Sequence, residues 1–349
     1  MNHPIQADFT SSTRSRAAKR MTPAAPQWPS YTGVSQYVGT SPSGRVNVFV
    51  DPSLGAPAAQ NASDLVNDAD RVCDANDALF GTTGGAVSVI VFALNNATDG
   101  TGGADHMGCD FTSGAAIEVC AAFGNSHRVS ALFEAELSEC SMGGNLCGQS
   151  TGEALSRWCA AEIGSNALSD FATAPQWAQD GMPDFVNHTD PTDQNPDSTG
   201  CGMAFLSWLI SEGHSLNTIA PAMTRLGDGG TLAQLYANLT SDSASNAWPQ
   251  FLAAARALPA IQNDDPFHVA QPAQLAHIEP WTAELAGKVF ASILADISAG
   301  REPHQIVAGV RAAMASAPKR PSHIARAAAP GACAVGSRRL LPPGAARRH

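Results

Sequence analysis

The run Val87-Ser-Val-Ile-Val-Phe-Ala-Leu94 is apolar at every position but one, and a strand of that kind has no face to give to water. It predicts a central strand, inside a sheet that is covered on both sides. Val46-Asn-Val-Phe-Val50, bounded by Pro-Ser-Gly before it and Asp-Pro after it, predicts a second strand, and 117–122 a third. Between the first two, Ser63 caps a helix with Leu65, Ala69, Val72 and Cys73 on one face, ending near Phe80-Gly81. A loop rich in Gly and Asp spans 95–110. A helix follows from about 130 to 142, and later segments at 151–163, 175–186, 202–210, 216–226, 232–239 and 248–258 also read as helical. Strands first and helices afterwards predict an α+β fold, a small mixed sheet followed by a mostly helical half.

The expected domain organisation is an unstructured segment 1–30, an α+β domain 31–262, a helical C-terminal appendage 263–320 and an unstructured basic tail 321–349. Asn263-Asp-Asp-Pro-Phe267 reads as the linker into the appendage, whose helices are expected at 281–297 and 303–317. The tail has the composition of a translated high-GC, bacterial extension. A chain of 349 residues is long enough for a substantial core. Charge is unevenly placed: residues 21–300 hold 7 Lys or Arg against 29 Asp or Glu. An acidic body repels phosphate and argues against a nucleic-acid partner. No apolar run reaches the roughly 18 residues of a membrane span. The basic N-terminus lacks the apolar core of a signal peptide, and Met21 is a second candidate start. The compartment stays open between cytoplasm and export without a recognisable signal, as does the oligomeric state. Seven of the eight cysteines lie between 73 and 201. Cys109 with Cys120 and Cys140 with Cys147 are the pairs close in sequence, and the other reading makes most of the cysteines small buried residues.

Chemistry concentrates in three segments. Phe133-Glu-Ala-Glu-Leu-Ser-Glu-Cys140 places Glu136 and Glu139 three residues apart on one helix, where they share a face. Trp177-Ala-Gln-Asp180-Gly181 and Phe205-Leu206-Ser-Trp208-Leu209 follow it. In that order, over about 46–258, the segments resemble the zincin-like metallopeptidases with a Glu third ligand, the basic secretory protein and aminopeptidase-type families. In those families a strand edge precedes a His-Glu-x-x-His helix, a later helix supplies the third ligand, and another packs behind it. The resemblance implies a zincin-like fold and a metal-dependent peptidase acting on peptide or protein substrates. Glu136 takes the position of the general base that deprotonates water, Glu139 that of the second metal ligand, and Asp180 that of the third. Phe205, Leu206 and Trp208 match the packing helix. Ala135 stands where the first His would be, and Glu153 competes with Asp180 for the third position. Carboxylates alone favour Ca²⁺ or Mg²⁺ over Zn²⁺, whereas a hydrolytic zinc site has at least one imidazole. His106, His127 and His214 are the candidates, with His106 in the loop beside the central strand. Two non-catalytic readings accompany this one: a zincin-fold binding or structural protein that has lost activity, and a solvated helix face whose carboxylates pair with Arg128 or Arg157.

Gly148-Gln-Ser150-Thr-Gly152 matches the nucleophile elbow of serine hydrolases, which makes Ser150 a third functional candidate; the elbow requires a strand before it, and Ser150 or Thr151 as a helix cap is the simpler expectation. The loop 95–105 reads as a turn or a weak Ca²⁺ loop, and Asp184, Asp190, Asp193 and Asp197 as a solvated acidic loop. Trp158, Trp177 and Trp208 are expected in the core.

Overall fold

The computed structural model describes residues 23–112 and 115–268. Residues 1–22, both appendage helices and the basic tail lie outside the described residues. Five strands, β1 (Gln36–Thr40), β2 (Val46–Val50), β3 (Val87–Phe92), β4 (Ala104–His106) and β5 (Ala116–Cys120), form one mixed sheet in the order β1-β2-β3-β5-β4. β2, β3 and β5 run parallel, and the two edge strands are antiparallel to their neighbours. β3 is the middle strand, as its apolar run requires.

Eight α-helices lie among the described residues: α1 (Gly55–Phe80), α2 (Ser126–Ser141), α3 (Ser150–Ile163), α4 (Ala174–Gln179), α5 (Pro196–Ser211), α6 (Leu216–Leu226), α7 (Leu232–Thr240) and α8 (Ala247–Ala257). The fold is α+β. α1 begins eight residues before Ser63, because Pro57 sits in its first turn, where no backbone N–H is needed. It ends on Gly81 in the left-handed conformation (φ 69°) that favours glycine. α4 stops at Gln179 rather than near 186, since Gly181 and Met182 both take positive φ and Pro183 follows. The edge strands β1 and β4 were not legible in the sequence. β1 carries a Gly and polar residues, and β4 is three residues long.

Two apolar cores result. One joins the sheet to α1 and α2; the other lies among α3 to α8 and contains Trp158, Trp177 and Trp208. Phe251 is fully buried at the centre of the second core, stacked on Trp177 (5.5 Å between centroids) and edge-on to Phe205 (5.2 Å). Phe251→Ala is expected to cost about 3–5 kcal/mol, read as a lowered urea midpoint with an unchanged m-value.

Two segments expected outside the α+β domain make contacts with it. Trp28, inside the segment expected to be unstructured, is buried against Phe49, and Ser30 and Tyr31 donate hydrogen bonds to the carboxylate of Glu118. Residues 263–268 lie as a strap on the helical half. The Asp264 carboxylate accepts from Arg157 and from the backbone N–H groups of Thr173 and Ala174, and Asp265 accepts from Ser207. The one disulfide among the described residues joins Cys109 to Cys147. Cys120 and Cys140, the neighbours in sequence, are buried free thiols. No helix among the described residues is long and apolar enough to cross a membrane.

Candidate metal centre

α2 is buried along its whole length from Arg128 to Cys140, because the sheet lies on one side and α1 and α3 on the other. A helix enclosed in this way should be apolar all round, yet it carries Glu134, Glu136 and Glu139, each at most 6% exposed. Burying carboxylates is expensive unless a cation or hydrogen bonds compensate them. The solvated-face reading is therefore corrected. Its proposed partners are also engaged elsewhere: Arg128 pairs with Asp170 and lies over the Phe171 ring, and Arg157 pairs with Asp264.

The compensating group comes from β4. Antiparallel pairing sets His106 opposite Ile117 of β5 and turns the imidazole to α2. Its Nε2 lies 2.8 Å from Glu139 Oε2 and 3.8 Å from Glu136 Oε2, and its Nδ1 meets the Gly108 carbonyl at 2.7 Å. From α3, the Ser156 hydroxyl donates to Glu139 Oε1 at 3.3 Å. One ligand atom from each of His106, Glu136 and Glu139 lies within 4.8 Å of the others, so this buried cluster could hold a metal ion. Glu136 Oε2 is buried with no hydrogen-bond partner.

Electrostatics point the same way. Burial, followed by the charges of Glu139, Asp105, Glu153 and Asp193, pushes the Glu136 carboxyl well above the usual carboxylate range. Burial works against a charge on His106, but the hydrogen bond and charge of Glu139 outweigh it and raise the imidazole pKa. Four acidic side chains thus act on Glu136, with one imidazole beside it, a balance that an added cation would correct.

A cavity of about 40 Å³ lies against Glu136 and Glu153, with Ala135, Arg157, Met203 and Asp264 on its wall. It shares Met203 and Asp264 with a wider cleft of about 250 Å³ lined by Trp158, Asn263, Asp265 and His268. Residues of the 263–268 strap line both cavities.

The remaining candidates fall elsewhere. Asp180 is exposed at the end of α4, beside Asp197, whose carboxyl is raised by burial and then by the charge of Asp180. Glu153 faces the cavity but stands outside the three-residue cluster. His127 is exposed and His214 half-buried, neither in the cluster. Ser150 opens α3 after a turn that follows helix α2, not a strand, and Gln149 rather than Ser150 or Thr151 holds the cap position. The 95–105 segment turns into β4 at Ala104; Asn95 donates to the Gly102 carbonyl, and Asp99 accepts from the Thr101 N–H and hydroxyl. Asp184 and Asp190 accept local bonds from Asn187 and Asn195 within their own loop.

A second polar network crosses α1 and α2 next to the cluster. Asn76 Nδ2 and the Ser138 hydroxyl both donate to Glu134 Oε1, and Ser141 donates to Asn76. Burial raises the Glu134 carboxyl from its ordinary 4.5 to about 8. The folded state thus keeps a proton that the unfolded chain releases above pH 4.5, so stability is full below that value and falls as pH rises toward 8. Glu134→Gln keeps the accepting oxygen and carries no charge. It is expected to be near neutral at pH 5 and to remove a loss approaching about 5 kcal/mol at pH 8, seen as a flatter melting-temperature profile across that window.

No family model, curated protein or solved structure matches the chain. The class of site rests on its own chemistry: a buried imidazole–dicarboxylate cluster that could hold a metal ion.

Proposed function

We propose that the protein is a metal-dependent hydrolase of the peptidase type, with His106, Glu136 and Glu139 as metal ligands. The observation that carries the reading is the convergence of these three buried side chains within 4.8 Å, one of them with an unpartnered oxygen. The zincin-like resemblance supports it in two respects. Glu139 occupies the helix position of the second ligand, Glu136 passes from the position of the base to the role of a ligand, and an antiparallel strand edge, β4, precedes that helix in the chain. The imidazole comes from the strand instead of from the helix, where Ala135 stands.

One imidazole with two carboxylates moves the donor set from the Ca²⁺ or Mg²⁺ of an all-oxygen site toward Zn²⁺. Bound there, such an ion would supply Lewis acidity for a carbonyl and for water near neutral pH. We assign the proton to Glu153, which lines the small cavity together with Glu136, where low-dielectric walls strengthen each charge interaction. The cleft bounded by Trp158, Met203 and the strap admits the substrate chain.

A peptide library incubated with Zn²⁺-loaded protein tests this by mass spectrometry. Cleavage that stops on chelation and in Glu153→Gln, with zinc still bound in that variant, is the expected result. Zinc binding without any cleavage would leave a metal-binding, non-catalytic protein.

A further inference from the structure

Resting on the metal-site reading, we propose that the Cys109–Cys147 disulfide positions His106, so that metal affinity at the cluster follows the redox state of this one bond.

His106 is the last residue of a three-residue edge strand, a weak anchor for the only imidazole in the cluster. Its Nδ1 is oriented by the Gly108 carbonyl at 2.7 Å, and Gly108 immediately precedes Cys109. Outer partners of this kind fix the orientation and tautomer of a ligating imidazole. The disulfide ties Cys109 across 38 residues to the turn between α2 and α3. That turn grips the same loop again through the Gly144 N–H on the Cys109 carbonyl at 2.7 Å, and the Cys140 thiol reaches the Gly108 carbonyl at 3.8 Å. The carbonyl that aims His106 is therefore one residue from a covalent tether to the turn that follows the helix bearing Glu136 and Glu139.

The bond is also open to chemistry. Cys109 and Cys147 are half-buried, whereas the five free cysteines among the described residues are buried. A small dithiol supplies two electrons and two protons, which convert the disulfide to two thiols, while the dithiol leaves as its own disulfide.

Co²⁺ is the probe, titrated into oxidised protein and into protein reduced with dithiothreitol, alkylated with iodoacetamide and freed of reagent. Affinity and the visible absorption band of the ion are both read. Reduction is expected to weaken binding about 10- to 100-fold and to change the band. Equal affinity and an unchanged band before and after reduction would overturn the clamp. So would a loss of helical circular dichroism on reduction, since the bond would then staple the fold as a whole. Failure of the oxidised protein to bind Co²⁺ would overturn the metal-site reading itself. Cys109→Ser with Cys147→Ser gives the same comparison without reductant.

Discussion

Glu136→Gln is expected to raise the melting temperature of the metal-free protein and to abolish its stabilisation by Zn²⁺. The two signs have one cause. Glu136 is buried, lies among four other acidic side chains and leaves Oε2 without a partner. Without an ion it is a liability, because the fold must either bury its charge or hold a proton that the unfolded chain releases. With an ion it becomes a ligand, and zinc at 100 times its dissociation constant stabilises the folded state by about 2.7 kcal/mol. For a domain of this size each kcal/mol moves the melting temperature by about 2–4 °C. Scanning calorimetry with chelator and with zinc reads both effects on one sample. A variant less stable than wild type in chelator would mean that Glu136 is already compensated inside the protein.

Arg157→Ala is expected to be the most damaging single change outside the apolar cores, at about 3–5 kcal/mol. The guanidinium is buried and donates to the Asp264 carboxylate at 2.8 Å, to Thr173 Oγ1 at 3.3 Å and to the Phe171 carbonyl. Removing it leaves these acceptors without their donor and loosens the 263–268 strap over the cleft. Arg157→Lys should recover little, because a point charge cannot serve three acceptors held by a planar fork. Denaturant midpoints measure the loss. Limited proteolysis should cut near the strap in both variants and not in the parent chain.

How far the sequence showed this depends on the range of each interaction. β3, the C-terminal stop of α1 at Gly81 and the bounds of α6 were legible because local periodicity and capping decide them. Glu136 and Glu139 stood out for the same reason, being one turn apart on a helix. Their burial was not legible, since it depends on α1, α3 and the sheet closing round α2 together. His106 was a candidate by residue type. What brings it to Glu139, 33 positions away, is the antiparallel pairing of a strand too short to show any alternation. Asp105 and Ser156 gave no signal at all. The disulfide is the plainest case, because the nearest partners in sequence point to different layers. Cys120 lies inside the sheet and Cys140 on the buried helix, while Cys109 and Cys147 meet in neighbouring loops.

The central claim is that the buried imidazole and carboxylates are one metal site. Equilibrium dialysis against Zn²⁺, Mn²⁺ and Ca²⁺ followed by elemental analysis of the protein tests it most directly, with His106→Ala and Glu139→Ala alongside. The account predicts one zinc per wild-type chain, held in preference to calcium, and none in either variant that remains folded by circular dichroism. No bound metal in the wild type, or the same zinc content in His106→Ala, would contradict it.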